Sequence, residues 1–357
     1  MTATASQTLA PSDPTAFTEF ALERGWGDGL PLVPPTRARV EAALAASGFA
    51  AEQEIAVLSP SGSMCTGEAL ATNAVLAGAP ALALPLLAAA IDAISQSEFQ
   101  LHGINATTAP ATPILIVNGA VRAELGIPFG AGCLGGAEGS TAPAIGRALR
   151  LVIRNVAQQR IGVTSQSVFG HPARVSGLVF AEWEERSPWA PLATRRGVTG
   201  DAVTAFGMMG SINVCNILST SADLLLHFIG RSMAVPGANG FHPGLPFFEV
   251  AVLINPVWAE IIGAGYPDIA DVQRILWEAA SLPVTEWPKD YQRQYEELNW
   301  IHDNGRVHVC RDPSEVLVVT CGGLGGLHAT VLHSWGTSKA QTRAIARRSG
   351  TPSAGSG

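Results

Sequence analysis

The chain reads as an α/β protein built from two α/β halves, with buried sheets and glycine-rich strand-to-helix loops. Three observations predict this. Apolar runs rich in β-branched residues recur at Ile55–Leu58, Ile114–Val117, Val175–Phe180, Phe248–Ile254 and Val316–Thr320, each of strand length and apolar enough to be covered on both faces. Helical patterns lie between them, and strands alternating with helices favour sheets sandwiched by helices. Glycine-rich segments follow strands in both halves, at Asn118-Gly119 and Gly130–Gly139 and again at Cys321–Gly326.

Taken in order, residues 1–14 are small and polar, so disorder is expected there. A helix over Thr15–Arg24 stops at Gly25, and the proline-bearing stretch to Pro35 leads into a helix over Thr36–Ala46. Further helices are expected at Thr66–Ala77, Pro80–Ile94, Ala142–Val156, Ile212–Leu218, Asp223–Ser232, Val257–Ala264 and Ile269–Ala280. Ala69–Ile94 is apolar enough to resemble a membrane span. Pro80 and Pro85 cut it into pieces shorter than the roughly 20 residues a span needs, so buried core helices are expected. The Arg195–Asp201 stretch forms a seam, dividing a first half at 15–198 from a second at 199–346, before a flexible tail at 347–357. The two halves share only a loose parallel of strand and glycine loop.

Composition narrows the partners. Charged residues make up 14% of the 357, against roughly 25% in an average soluble protein, which points to a surface partly covered in a homo-oligomer. A net charge of −7 with no basic run argues against nucleic acid. Five cysteines with no CxxC pair argue against a disulfide framework or zinc knuckle, and with no signal-peptide pattern the expected location is the cytoplasm.

The segment from Thr320 to His328 places four glycines, a thiol and an imidazole beside a strand. Such a loop brings backbone N–H groups close to an anion, and Cys321 and His328 supply a nucleophile, a base or metal ligands. Thr107, Thr108 and Asn118 lie at the two ends of a buried strand, where α/β folds hold ligands. Gly130, Gly132 and Gly135 match GxGxxG without a strand directly before them, so an anion site at a helix start is expected rather than a dinucleotide fold. Arg147 sits in an apolar helix and needs an anionic partner, either a ligand or Glu68 or Glu138; Asn155 shares its face. Cys65 precedes a helix, where the dipole lowers a thiol pKa, whereas Cys215 and Cys310 read as packing residues. The run Glu182–Glu185 closes a strand, so one carboxylate can reach a pocket. His302, His308 and His333, with Asp28 and Glu68, leave a divalent metal open, although no local spacing marks a metal site.

These blocks resemble a group of bacterial proteins of the UGSC (seleno)protein family and its relatives. The resemblance rests on Gly25–Pro31 with Pro34-Pro35-Thr36, Thr66-Gly67-Glu68 with Asn73, Thr107–Pro110 with Val117-Asn118-Gly119, and Ile145–Leu151 with Asn155. It continues through Ser187-Pro188-Trp189, Ile254-Asn255-Pro256, Asp271-Val272-Gln273, and Gly322-Gly323 with His328. It implies a soluble bacterial protein and carries no activity with it. The chain departs from that pattern in lacking a Cys-Gly-Ser-Cys or selenocysteine motif, and Pro128–Cys133 replaces a more asparagine-rich loop.

The expected function is an enzyme acting on a small organic acid or similar polar molecule by lyase or hydrolytic chemistry. Glu68, Cys321 and His328 are the candidate catalytic residues. Asn73, Thr107, Thr108, Asn118, Arg147, Gly322 and Gly323 are the candidate substrate contacts. The alternatives are a thiol-dependent redox enzyme, motivated by Cys65, Cys133 and Cys321, and a non-catalytic binding subunit of a hetero-oligomer.

Overall fold

A computed structural model describes residues 11, 13–245 and 248–346. The terminal segments expected to be disordered or flexible lie largely outside them. In chain order the elements are α1 (Pro14–Glu23), α2 (Arg37–Ser47), β1 (Glu54–Leu58), β2 (Ser63–Thr66), α3 (Gly67–Ala77), α4 (Leu84–Ser95), α5 (Leu101–Ala106), β3 (Thr112–Asn118), α6 (Val121–Glu124) and α7 (Ala142–Asn155). Then follow α8 (Ala173–Ser176), β4 (Val179–Ala181), α9 (Leu192–Arg195), β5 (Ala202–Cys215), α10 (Ala222–Met233), β6 (Val250–Ile254), α11 (Pro256–Gly265) and α12 (Ile269–Ala279). The last are β7 (Ser281–Pro283), α13 (Lys289–Glu297), β8 (Arg306–His308), β9 (Val316–Thr320), β10 (His328–Ser334) and β11 (Gln341–Ala344).

The α/β class is as expected, but the two halves share one sheet. Its strands run β4-β3-β5-β10-β6-β9, with β11 also paired to β5. The sheet curls into a half-barrel. Leu115 and Val117 join the helices of the first half in one core, and Val250, Val252, Val316 and Val318 join those of the second in another. The alternate residues Ile114, Ile116, Phe180, Ala251, Leu253, Leu317 and Val319 form a third cluster on the concave side. Strand side chains alternate between faces, so one run of apolar residues serves two cores.

The loose parallel between halves becomes a structural repeat. β3 pairs parallel to β4 and antiparallel to β5, while β6 pairs parallel to β9 and antiparallel to β10; β5 and β10 meet antiparallel at the centre. Read from either edge, the order of pairings is the same. The registers then make Asn118 the counterpart of Asn255, and Glu182 the counterpart of Cys321: the Glu182 N–H donates to Val117 O at 3.1 Å and the Cys321 N–H to Ile254 O at 3.0 Å.

Two expectations are corrected. Ile212–Leu218 is not a helix; β5 runs through Cys215, because Val331 and its neighbours in β10 pair with it. Val175–Phe180 is split between α8 and the short β4, with Gly177 at φ +66° turning the chain between them. A Cβ on Gly177 would fall 2.3 Å from the Gly146 carbonyl carbon. Gly177→Ala is therefore expected to cost about 2–4 kcal/mol, from positive φ and overpacking together. Urea unfolding with an unchanged m-value is the check.

Among the described residues no single helix is long and apolar enough to cross a membrane. In α4, the most apolar of the segments that raised the question, Leu84, Leu86, Leu87, Ile91 and Ile94 are all fully buried in the first core.

Candidate functional site

Cys321 leaves β9 on the concave side of the sheet, with its backbone N–H held by Ile254. Cys133 reaches the same place from the glycine-rich loop before α7. Two contacts fasten the loops together: the Gly322 N–H donates to Phe129 O at 2.7 Å, and Gly323 presses on Ala131, where a Cβ would come within 3.2 Å of the alanine methyl. Gly322 has φ +101°, which a residue with a side chain rarely adopts. The approach sets the two buried thiols beside each other, close enough for each to shift the other's pKa.

That proximity affects the two thiols unequally. The Cys321 thiol holds Cys133 below the ordinary thiol value, with burial opposing and the N–H groups of Cys133, Leu134 and Gly322 assisting. Cys321 is pushed well above it by Cys133, by burial, and by the charges of Cys133 and Glu182. Cys133 is thus the more acidic thiol of the pair and Cys321 the less acidic.

Behind Cys321 lies Glu182, fully buried. The peptide unit that follows Glu182 donates to the one that precedes Cys321, from Trp183 N to Thr320 O at 2.7 Å. The carboxyl Oε2 accepts from Asn118 Nδ2 at 2.8 Å and from Leu192 N at 2.7 Å, while Oε1 has no partner among the described residues. Burial raises its pKa, against the opposing effects of Arg195, Asn118 and Leu192. Burial shifts this carboxyl toward its neutral form, and its free oxygen is the one not already accepting a hydrogen bond.

In front of the thiols is a cavity of about 250 Å³ lined by Cys133, Leu253, Asn255, Cys321, the loop Gly322–Leu327 and His328. A second space of about 160 Å³ adjoins it at Cys133 and Leu134 and extends to the start of α7.

Of the residues expected at a site, Cys321, Gly322, Gly323 and His328 meet here. His328 is exposed, and its ring lies 3.3 Å from the Asn213 amide. Asn118 is buried beside Glu182 rather than on the cavity wall. The others stand elsewhere. Glu68 is exposed in the first turn of α3. Asn73 accepts from Asn155 at 2.7 Å, which joins α3 to α7. Thr107 accepts from the Trp335 indole at 3.2 Å, and Thr108 is exposed.

Arg147 does have an anionic partner, but it is Asp28 and not Glu68 or Glu138. Its Nε and Nη2 each donate at 2.8 Å to the Asp28 carboxylate, and further bonds reach the carbonyls of Leu30 and Pro31. Cys65 is likewise corrected. It is buried within β2 rather than free at a helix start, and burial pushes its thiol up to about 12. Cys215 is exposed, not packed.

Among the described residues no group of three or more His, Cys, Asp and Glu side chains is placed to hold a metal ion. His308 stacks on Trp277 with ring centroids 3.8 Å apart, and burial lowers its pKa to about 4. The sequence reading passed over two residues. Asn255 caps α11 by accepting from Trp258 N at 3.0 Å, and its Nδ2 holds His328 O at 2.8 Å. Glu182 was seen only as part of an acidic run; its place directly after a buried strand was the available signal.

No protein-family model and no curated protein matches this chain.

Proposed function

We propose that the chain is a thiol-dependent enzyme acting on a small polar molecule, an organic acid or a near relative, by hydrolytic chemistry at the Cys133–Cys321 cavity. The observation that carries this reading is the pair of adjacent, unequal thiols, Cys133 and Cys321, at the wall of one glycine-lined cavity. A volume near 250 Å³ fits a small metabolite and excludes a macromolecular substrate.

In this reading the Cys133 sulfur forms a bond to a carbonyl carbon, and the carbonyl oxygen takes up the electron pair facing the N–H groups of the loop that follows Gly322. The oxyanion collapses, and the leaving group departs with the Cys321 proton. Water then adds to the thioester, its proton passing to the His328 imidazole and from there back to Cys321, and the acid product leaves as the Cys133 sulfur is expelled with the bonding electron pair. Glu182 takes the carboxyl acid/base role expected of Glu68, because it stands behind the thiol that must regain a proton. Arg147 has no part in binding, since its donors are committed to Asp28 and two carbonyls.

Iodoacetamide labelling at pH 7, mapped by mass spectrometry, tests the reading. Cys133 is expected to react ahead of the exposed Cys215 and to be protected by millimolar small carboxylic acids. Labelling of Cys215 first, with no protection by any acid tried, would remove the basis for it.

The direct contact of two thiols from distant parts of the chain also favours a second reading, a dithiol that exchanges with a low-molecular-weight disulfide. Incubation with such a disulfide would then convert Cys133 and Cys321 into one crosslinked peptide, with two hydrogens passing to the reagent.

A further inference from the structure

The C-terminal half of α7 gathers positive charge that nothing nearby neutralises. Arg150 and Arg174 are both buried, at 6% and 8% exposure. Neither has a carboxylate within ion-pair distance among the described residues. Arg150 gives its Nε to Arg174 O at 2.8 Å and one terminal nitrogen to Gln159 Oε1, and its Nη1 has no partner among the described residues. Arg174 donates to Ser165 Oγ at 2.9 Å and to Ala109 O at 3.3 Å, and its Nε has no partner among the described residues. All of these acceptors are neutral.

The two guanidinium groups also feel each other's charge. Burial first, then Arg174 and Arg154, push Arg150 down to about 9, which still leaves it protonated at neutral pH. Arg154 in turn faces Arg160, and the one acid felt by this group, Asp28, is already paired with Arg147. Four arginines therefore converge without a matching acid, in a protein of net charge −7. Two buried cations set side by side without a counter-charge are costly, and each N–H left without an acceptor adds to the cost.

We propose that Arg150 and Arg174 form a binding site for a small oxyanion with at least two acceptor oxygens, of the inorganic phosphate or sulfate kind. The unpartnered Nη1 of Arg150 and Nε of Arg174 supply the donors, and a guanidinium N–H matches an oxyanion lone pair in geometry as well as charge. Ser165 and Gln159, already bonded to the two arginines, hold them in position. Arg154 and Arg160, nearer the surface, raise the local anion concentration. The site is separate from the thiol cavity, whose lining includes none of these residues.

Thermal unfolding of the full chain is followed in chloride and in millimolar inorganic phosphate at matched ionic strength. Phosphate is expected to raise the Tm by about 3 °C or more, saturating in the millimolar range, as a ligand specific to the folded state does. Each of Arg150→Met and Arg174→Met, compared with itself with and without phosphate, is expected to lose that rise. Isothermal titration of the wild-type chain with phosphate, with sulfate competing, gives a direct reading that needs no variant. An unsaturating rise shared by wild type and both variants is the general effect of salting-out anions and overturns the proposal. So does the absence of binding heat in the wild type.

Discussion

Replacing Cys133 with serine is expected to abolish fast labelling of the cavity and to lower turnover of any substrate by about a thousandfold or more, the scale seen when an enzyme nucleophile is removed. A serine hydroxyl stays protonated at neutral pH, and no imidazole stands against Cys133 to activate it. The sharper test lies in its partner. Cys321 is the largest of the influences that hold Cys133 below the ordinary thiol value. Cys321→Ser keeps a donor of similar reach, so Cys133 should remain reactive at pH 7. Cys321→Ala removes that donor and leaves burial, which favours the neutral thiol, opposed only by the backbone N–H groups of Cys133, Leu134 and Gly322. Its labelling rate at pH 7 should fall by about tenfold for each unit the thiol pKa rises. The measurement is the pH dependence of alkylation at the Cys133 peptide in the three proteins. Equal profiles for Cys321→Ser and Cys321→Ala would show that the thiol contact does not set the reactivity of Cys133.

The same pair shows what could be read before the fold was known. The Cys321–His328 loop was legible because a buried strand running straight into four glycines has few uses besides close backbone approach. That Cys133 would meet it was not legible, since the contact depends on how the sheet curls. Strands such as Ile114–Val117 and Val316–Thr320 declared themselves through unbroken apolar runs. β5 did not, because Gly207 and Gly210 interrupt it and Val214, Ile217 and Leu218, which run past its exposed end, mimic a helical spacing. β10 was hidden by its histidines, which drew attention as ligands while His333 is in fact buried with its Nε2 3.1 Å from Met233 O. Glu68 attracted the acid/base role by lying near a glycine and a helix start. Glu182, in an acidic run, needed the strand register to set it opposite Asn118 and make it the counterpart of Cys321.

Arg147→Ala is expected to be among the most destabilising single changes in the chain, by about 3 kcal/mol at pH 7, because it strands the Asp28 carboxylate in a site with side-chain exposure of only 9%. The pair fixes the Gly25–Pro31 segment against α7, with bonds to the Leu30 and Pro31 carbonyls reinforcing the bidentate contact. Burial alone would raise the Asp28 pKa. The hydrogen bonds from Arg147 and Leu30, with the charge of Arg147, outweigh it and hold the carboxyl below its ordinary value. A carboxyl depressed in the folded state contributes stability that is complete above its unfolded pKa of about 3.9 and is lost as pH falls through the lower folded value. The gap between wild type and Arg147→Ala should therefore be widest at neutral pH. In the variant only backbone N–H groups such as that of Leu30 still oppose burial, so the Asp28 pKa rises and the gap should narrow as pH falls and that carboxyl takes up its proton. Urea unfolding at pH 7, 5 and 4 measures it directly. Asp28→Asn separates charge from shape, since it keeps acceptor geometry for one guanidinium N–H while removing the ion pair. A constant gap across this pH range would mean that packing of the arginine stem, and not its charge, holds the segment in place.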